Sequence, residues 1–384
     1  MDAVFGNEFL LDNILRNLSA WEIYSSRLVG SKWYEVATSK LAKQPPFDHL
    51  IVVPIDEQCS EKRVYKAQCK EKFRQDLKAG LIPWVKEDLT YFRVCRRRKE
   101  VATKFEDKFN TVIKCIPKCV LIFSDILCES ILPYFCPPIE KDCEYPVIVL
   151  HQHRPMRWPP HLSLYEGSVA LHTVIFNRYS NYKTVVTDWN NPDSPRPDQH
   201  DLDYPIRFFL CFANEDVVIK GQDELENLTS SLECPILRGL LTYSMIKPLM
   251  YDPVIGELDA TPCVSLAIAG ENIKVRMLQL PFLNEFHDPI NLDKMIEHLR
   301  VFKNSLDFVT EDESPHCRTL GFFYVRNLRG TQFVAKTSLC LEFYDEIRKA
   351  FPNITFIFIT LRNHQMPESD RSDHDVILYL LNFS

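Results

Sequence analysis

The fold at the start of this chain is decided by the stretch NEFLLDNILRNLSAWEIYSSRLVGSKWYEVA, residues 7–37. Its first apolar residues recur at the spacing of one helix face: Leu10, Leu11, Ile14, Leu15 and Leu18. Ser19 and Glu22 form an S-x-x-E capping box, which predicts the start of a second helix. A third helical stripe is marked by Val29, Trp33, Val36 and Ala37. We therefore expect three short helices, ended by Pro45 and Pro46.

These helices carry more apolar surface than so short a segment buries within itself. About forty residues seldom make a core that is stable alone, and helices of about ten residues are marginal in water. Fully burying one leucine-sized side chain contributes about 1.5–3 kcal/mol. The segment is therefore expected either to fold back on the rest of the chain or to be covered by another protein.

The composition is that of a globular protein without a general preference for nucleic acid or anionic membrane. The chain has 384 residues, of which 46% are hydrophobic and 25% charged, with a net charge of -7. No apolar run approaches the roughly 18–20 residues of a membrane span, and no signal segment is recognised at the start. These features predict a cytosolic or nuclear protein.

Cysteine and glycine usage excludes several kinds of site. The 13 cysteines are scattered without a C-x-x-C pair, which favours reduced, buried thiols over structural zinc. Among the 10 glycines, no two are closer than Gly321 and Gly330. That spacing excludes G-x-G-x-x-G, the phosphate loop G-x-x-x-x-G-K and the nucleophile elbow G-x-S-x-G.

Beyond Pro46 the pattern is a mixture of strands and helices. Strands are predicted at 49–54, 119–123, 147–150, 169–176, 206–212, 263–269, 273–280, 319–325, 354–359 and 376–381. Helices are predicted at 66–77, 101–113, 222–232, 291–308 and 338–350. Residues 188–205, which are rich in proline and aspartate, predict a long exposed connection. We expect an α+β fold with a three-helix domain at 1–44, an α/β half at 45–187, a linker at 188–205 and a second α/β half at 206–384.

Three other clusters offer weaker functional signals. The basic run at 93–104 suits nuclear import or phosphate contact, although a solvated loop is the commoner outcome. His151 and His153 would lie on one side of a strand, but no carboxylate or cysteine follows at metal-ligand spacing. His287 and Asp288 are adjacent without a serine or cysteine at meaningful spacing. No catalytic residue, metal or cofactor is predicted.

Residues 7–37 resemble the F-box, in which leucine pairs, a short middle helix and a late tryptophan follow one another. Leu10, Leu11, Ile14, Leu15, Leu18, Ile23 and Val29 fall on its apolar positions, and Trp33 falls on its tryptophan. The rest of the chain is similar to the FIST-type region that follows the F-box in one family of such proteins. The most similar stretches are PCVSLAIAGENIKVRMLQL (262–280), TLGFFYVRNLRGTQFVAK (319–336) and FYDEIRKAFPNITFIFI (343–359).

The resemblance implies a substrate-recognition subunit of a Skp–cullin–F-box ubiquitin ligase. The F-box would bind the Skp-type adaptor, through which the cullin and RING subunits join, and the FIST-type body would capture a target protein for degradation. The implied adaptor-binding residues are Leu10, Leu11, Ile14, Leu15, Leu18, Ile23, Val29 and Trp33. Such a receptor does no bond chemistry, since it acts by raising the effective concentration of target lysines.

Two other functions stay open from the sequence. In the first, the body binds a small ligand and the F-box is vestigial, although glycine-rich turns are replaced at 238–245 and 359–366. In the second, the body is a hydrolase or transferase with its site between the two halves. The target protein is not identified by any motif, because recognition surfaces depend on loop positions.

Overall fold

In the residues that the computed structural model describes, three helices at the start of the chain are followed by three β-sheets. The structure describes residues 7–55, 90–95, 115–124, 145–152, 171–197, 202–214, 219–241, 246–252, 257–280, 292–308, 318–326, 333–361 and 376–383. The helices predicted at 66–77 and 101–113 lie outside these residues.

Helices occupy both the start of the chain and its second half. Their bounds are α1 Glu8–Leu15, α2 Ala20–Ser26, α3 Ser31–Ala42, α4 Gln222–Ser231, α5 Leu292–Asn304 and α6 Phe333–Ala350. All of the predictions within the described ranges are confirmed to within a few residues. The largest difference is at α6, which begins before the predicted residue 338.

The strands begin immediately after the N-terminal helices. Their bounds are β1 Phe47–Ile55, β2 Thr90–Cys95, β3 Pro117–Ser124, β4 Val147–Gln152, β5 Leu171–Asn177, β6 Lys183–Asp188, β7 Ile206–Asn214, β8 Ile236–Leu241, β9 Ile246–Asp252, β10 Glu257–Ala260, β11 Cys263–Ala269, β12 Ile273–Leu280, β13 Thr319–Arg326, β14 Thr355–Leu361 and β15 Val376–Phe383. Strands β2, β6, β8, β9 and β10 are absent from the sequence prediction. Two of these contain residues that are depleted in strands, Gly239 in β8 and Pro248 in β9.

Each of the three sheets mixes parallel and antiparallel pairs. The seven-stranded sheet A has the order β10-β9-β4-β3-β5-β1-β2, and sheets B and C have the orders β6-β11-β7-β8 and β12-β15-β13-β14. The parallel pairs are β1–β2, β3–β4, β7–β8 and β13–β14. The described chain is therefore α+β with mixed sheets, as expected.

Alternate residues of the same strand face two different cores. In β7, Phe208 and Phe212 belong to the core that sheets A, B and C share, whereas Phe209 belongs to a second core with α4. In β13, Phe322 belongs to the shared core and Phe323 to a third core with α5 and α6. Because side chains alternate along a strand, β11 of sheet B and β15 of sheet C, which are buried at every position, are covered on both faces.

Strand pairing crosses the predicted boundary at 188–205 in both directions. β6, which precedes that segment, pairs with β11 in sheet B. β9, which follows it, pairs with β4 in sheet A. The sheets are therefore not confined to the two predicted halves.

Residues 188–197 are more firmly anchored than a solvated connection. Trp189 is 2% exposed, and its indole Nε1 donates to Ser265 Oγ at 2.8 Å. The Arg196 guanidinium lies 4.9 Å from the Trp189 ring and donates to the Asp188 carbonyl. Within 188–197, residues 191–193 and 195 are exposed. The prediction of an exposed connection is thus wrong at Trp189, near the start of this segment, because this tryptophan fills the core beside sheet B.

Candidate functional site

The three N-terminal helices, here called the helix trio (α1–α3), are held by a small core of their own. α1 and α2 both pack against α3. The buried apolar residues of the helix trio are Leu11, Leu15, Ala20, Trp21, Ile23, Ala37 and Leu41. Side chains at i and i+4 share a helix face, so Leu11 with Leu15, and Ala37 with Leu41, point inward together.

The starts of α1 and α2 are capped by side chains. The Asn7 carboxamide accepts from the backbone N–H of Phe9 at 3.0 Å and caps α1. Ser19 Oγ accepts from the Glu22 backbone N–H at 3.3 Å, while the Glu22 carboxylate accepts from the Ser19 backbone N–H at 2.7 Å. The predicted capping box is therefore confirmed, and these hydrogen bonds hold the pKa of Glu22 below its usual value.

Ion pairs connect α1 to α3 around this core. Lys32 pairs with Glu8, and Lys40 Nζ lies 3.0 Å from Asp12 Oδ1. Such exposed pairs contribute little stability individually. They do bring the start of α1 beside the start of α3, and they supply a charged border to the surface between them.

Six apolar side chains of the helix trio are exposed, and we call them the apolar face. They are Phe9, Leu10 and Ile14 of α1, Leu28 and Val29 of the α2–α3 turn, and Tyr34 of α3. Leu28 and Phe9 are each 72% exposed, and Val29 is 65% exposed. Scattered exposed apolar residues are normal, but six in one small segment mark a surface suited to contact with another protein.

The structure divides the eight predicted contact residues into three groups. Leu10, Ile14 and Val29 are exposed and belong to the apolar face. Leu18 and Trp33 are half-buried. Leu11, Leu15 and Ile23 are at most 1% exposed. The expectation that Leu11 and Leu15 lie partly on a contact surface is therefore corrected, because both side chains are used to hold the helices together.

Phe9, Leu28 and Tyr34 are members of the apolar face that the sequence analysis missed. Their signal was present but weak. Leu28 and Val29 are consecutive apolar residues beside Gly30 in a turn, where no core periodicity requires them. Phe9 precedes the helical stripe, and Tyr34 lies beside the conspicuous Trp33.

The other clusters singled out in the sequence contribute no described site. His153, His287 and Asp288 lie outside the described residues, as does most of the basic run at 93–104. Within the described ranges, no group of three or more histidine, cysteine or acidic side chains is arranged to hold a metal ion. The helices of those same ranges also lack the combination of length and apolarity that a membrane span requires.

A pair of buried histidines in sheet A has no counterpart in the sequence analysis. His49 of β1 and His172 of β5 are each less than a tenth exposed, and His49 Nδ1 lies 3.1 Å from His172 Nε2. The His49 ring also meets Phe47 edge to face, with ring centroids 5.3 Å apart. Burial lowers the pKa of His172 to about 3, and burial with the neighbouring His172 lowers the pKa of His49 well below its usual value.

Acidification is expected to destabilise the fold through this histidine pair. The pKa of an unfolded histidine is about 6.5, whereas folded His172 has a pKa of about 3. Because the unfolded chain binds more protons between these values, stability is fully present above about pH 6.5 and is lost as the pH falls toward 3. The loss is up to about 1.4 kcal/mol per pH unit for each histidine. Urea unfolding at a series of pH values measures it, and a His172→Gln variant with the same pH dependence as wild type would contradict this explanation.

Comparison with known proteins adds no assignment to these observations. No protein-family model matches the chain, and no curated protein matches it significantly. The apolar face is therefore interpreted from its own residues and their surroundings.

Proposed function

We propose that this protein is the substrate-recognition subunit of a Skp–cullin–F-box ubiquitin ligase. The helix trio acts as an F-box whose apolar face binds the Skp-type adaptor. The single observation that carries the proposal is the exposure of six apolar side chains on a segment that already has its own core. The order of helices and the spacing of leucines and tryptophan that resemble the F-box support the same partner.

The composition of the apolar face suits a protein contact. Protein interfaces combine an apolar centre with a polar rim. Here the exposed Phe9 follows Glu8, which pairs with Lys32, and Lys32 Nζ also lies 3.3 Å from Glu35 Oε2. Burying each large side chain contributes about 1.5–3 kcal/mol, of which association consumes a substantial part. Several such residues together are enough for a specific complex.

The three-sheet body, in this proposal, is a FIST-type region that captures the target protein. The cullin and RING subunits join through the adaptor, and the RING subunit brings the ubiquitin-conjugating enzyme. The protein itself forms no bond, since its contribution is to hold target lysines close to that enzyme. We propose the cytoplasm or nucleus as its location.

Changing Val29 to aspartate is expected to weaken adaptor binding at least about tenfold, because a carboxylate would be desolvated at an apolar contact. Val29 is 65% exposed, so Val29→Asp leaves the fold intact. Binding is measured with the purified adaptor and the full-length chain. Co-purification of adaptor and cullin from cells provides the second measurement.

Val301→Asp is the matched control. Val301 lies on α5 of the body and is 64% exposed, so the same substitution is made at nearly the same exposure. It is expected to bind the adaptor like wild type. If wild type does not bind the adaptor, or if Val29→Asp binds it as well as Val301→Asp does, the proposed function is wrong.

A further inference from the structure

We propose that Arg27 is a positioning residue that fixes the helix trio on the body, so that a partner bound to the apolar face has one orientation relative to the sheets. Arg27 follows α2 and directly precedes Leu28 and Val29. The consequence for ubiquitin transfer rests on the proposed function, but the mechanical role of Arg27 does not.

The Arg27 guanidinium is enclosed by tyrosines from two parts of the fold. It lies 4.5 Å from the ring centroid of Tyr24 and 4.8 Å from that of Tyr34, both in the helix trio. The third ring, Tyr179 of the body, is 5.8 Å away, and Arg27 Nη1 donates a hydrogen bond to the Tyr179 hydroxyl. A cation over aromatic faces gains energy in each contact, so the guanidinium joins the two parts.

The connection between α3 and β1 is held by the same turn of the body, residues 177–182. Asn177 Nδ2 donates to the Pro45 carbonyl at 2.8 Å, and the Asn177 backbone N–H donates to the Pro46 carbonyl at 2.9 Å. The Tyr182 hydroxyl also donates to the Pro46 carbonyl. Proline already restricts the backbone here, so these hydrogen bonds leave the connection little freedom to rotate.

The turn at 177–182 is itself attached to sheet A. The Arg178 backbone N–H donates to the Ile116 carbonyl at 2.8 Å, and Lys118 Nζ donates to the Ser180 and Tyr182 carbonyls. Tyr182 is 4% exposed. Contacts of the turn with Arg27, with the prolines and with sheet A therefore form a continuous path from the apolar face to the body.

The first test measures hydrogen exchange in the full-length chain. Arg27→Ala is expected to speed hydrogen exchange at least about tenfold in peptides covering 44–47 and 177–182. In this variant, local opening of these residues no longer has to break the contact between Arg27 and Tyr179, so opening costs less free energy. Peptides in β11 should keep wild-type exchange. Tyr179→Phe, which removes only the hydroxyl, should give a smaller effect. The double variant should exchange no faster than Arg27→Ala alone, since both substitutions remove the same contact between residues 27 and 179.

The matched control is Arg300→Ala, which removes an exposed arginine of α5 and should leave exchange unchanged. Wild-type exchange in Arg27→Ala would overturn the proposal. So would additive effects of Arg27→Ala and Tyr179→Phe, because the two residues would then act independently.

The second test uses a reconstituted ligase with the Skp-type adaptor and a cullin–RING complex. Because Arg27 contacts Tyr34 of the apolar face, the adaptor is supplied at a concentration that saturates both the wild type and Arg27→Ala, as a binding titration of each protein establishes. The set of body lysines that receive ubiquitin, mapped by mass spectrometry, should become broader. An unchanged lysine set at saturating adaptor would overturn the positioning role. Failure of the wild-type chain to bind the adaptor would overturn the proposed function alone, and exchange would still decide the role of Arg27.

Discussion

Changing Phe208 to alanine is expected to lower the free energy of unfolding by about 3–5 kcal/mol, the range for large-to-small changes of buried aromatics. Phe208 is completely buried in the core that the three sheets share. Its ring stacks on Phe322 of sheet C with centroids 5.5 Å apart and meets the edge of Tyr379 at 5.3 Å. Alanine would therefore leave a cavity where sheets B and C meet. Neither sheet can shift to fill the cavity without disturbing the second or third core, which packs on its other face.

Denaturant unfolding of the full-length chain measures this effect. Val301→Ala serves as the control, because Val301 is exposed and its truncation should change stability by less than about 0.5 kcal/mol. A loss below about 1 kcal/mol for Phe208→Ala would show that sheets B and C do not depend on this stack.

Leu15→Asp is expected to unfold the helix trio, at a cost of at least about 3 kcal/mol, because it places an unpaired carboxylate in a buried apolar site. Leu15 is completely buried, whereas its neighbour Ile14 is 43% exposed. Ile14→Asp is therefore the matched variant, with the same substitution on the same helix. It should keep the helix trio folded while weakening adaptor binding.

Hydrogen exchange in α1 and α3, measured together with adaptor binding, separates the two variants. Leu15→Asp should lose protection and binding, and Ile14→Asp should lose binding alone. Equal protection in both variants would mean that Leu15 does not support the helices as its burial indicates. Loss of protection in Ile14→Asp would show that the exposed residues are themselves required for folding.

Local patterns in the sequence predict the helix trio and much of the body correctly. The S-x-x-E box places the start of α2 because both of its hydrogen bonds join residues only three apart. β11 and β12 match the predicted 263–269 and 273–280 because each is a continuous apolar or alternating run. β10 was missed because four residues carry too little pattern to distinguish a strand from a loop.

The division of α1 into a buried and an exposed side is beyond such local reasoning. Leu10 and Leu11 are adjacent and equally apolar, yet Leu11 is completely buried and Leu10 is 39% exposed. Which of the two leucines is covered depends on where α3 lies. The position of α3 in turn depends on contacts between residues that are far apart in the sequence. The Arg27–Tyr179 contact is hidden for the same reason, since its partners are separated by 152 positions.

Strands from both sides of residues 188–205 pair with each other in sheets A and B, and this pairing limits where the chain can be cut into stable fragments. A cut in that segment would leave sheet B without β6 on one fragment and sheet A without β9 and β10 on the other. Sheets A and B would each lack at least one of their strands, so a nicked chain should stay associated instead of separating into two modules. Recombination or truncation in evolution would therefore have to carry sheets A and B together.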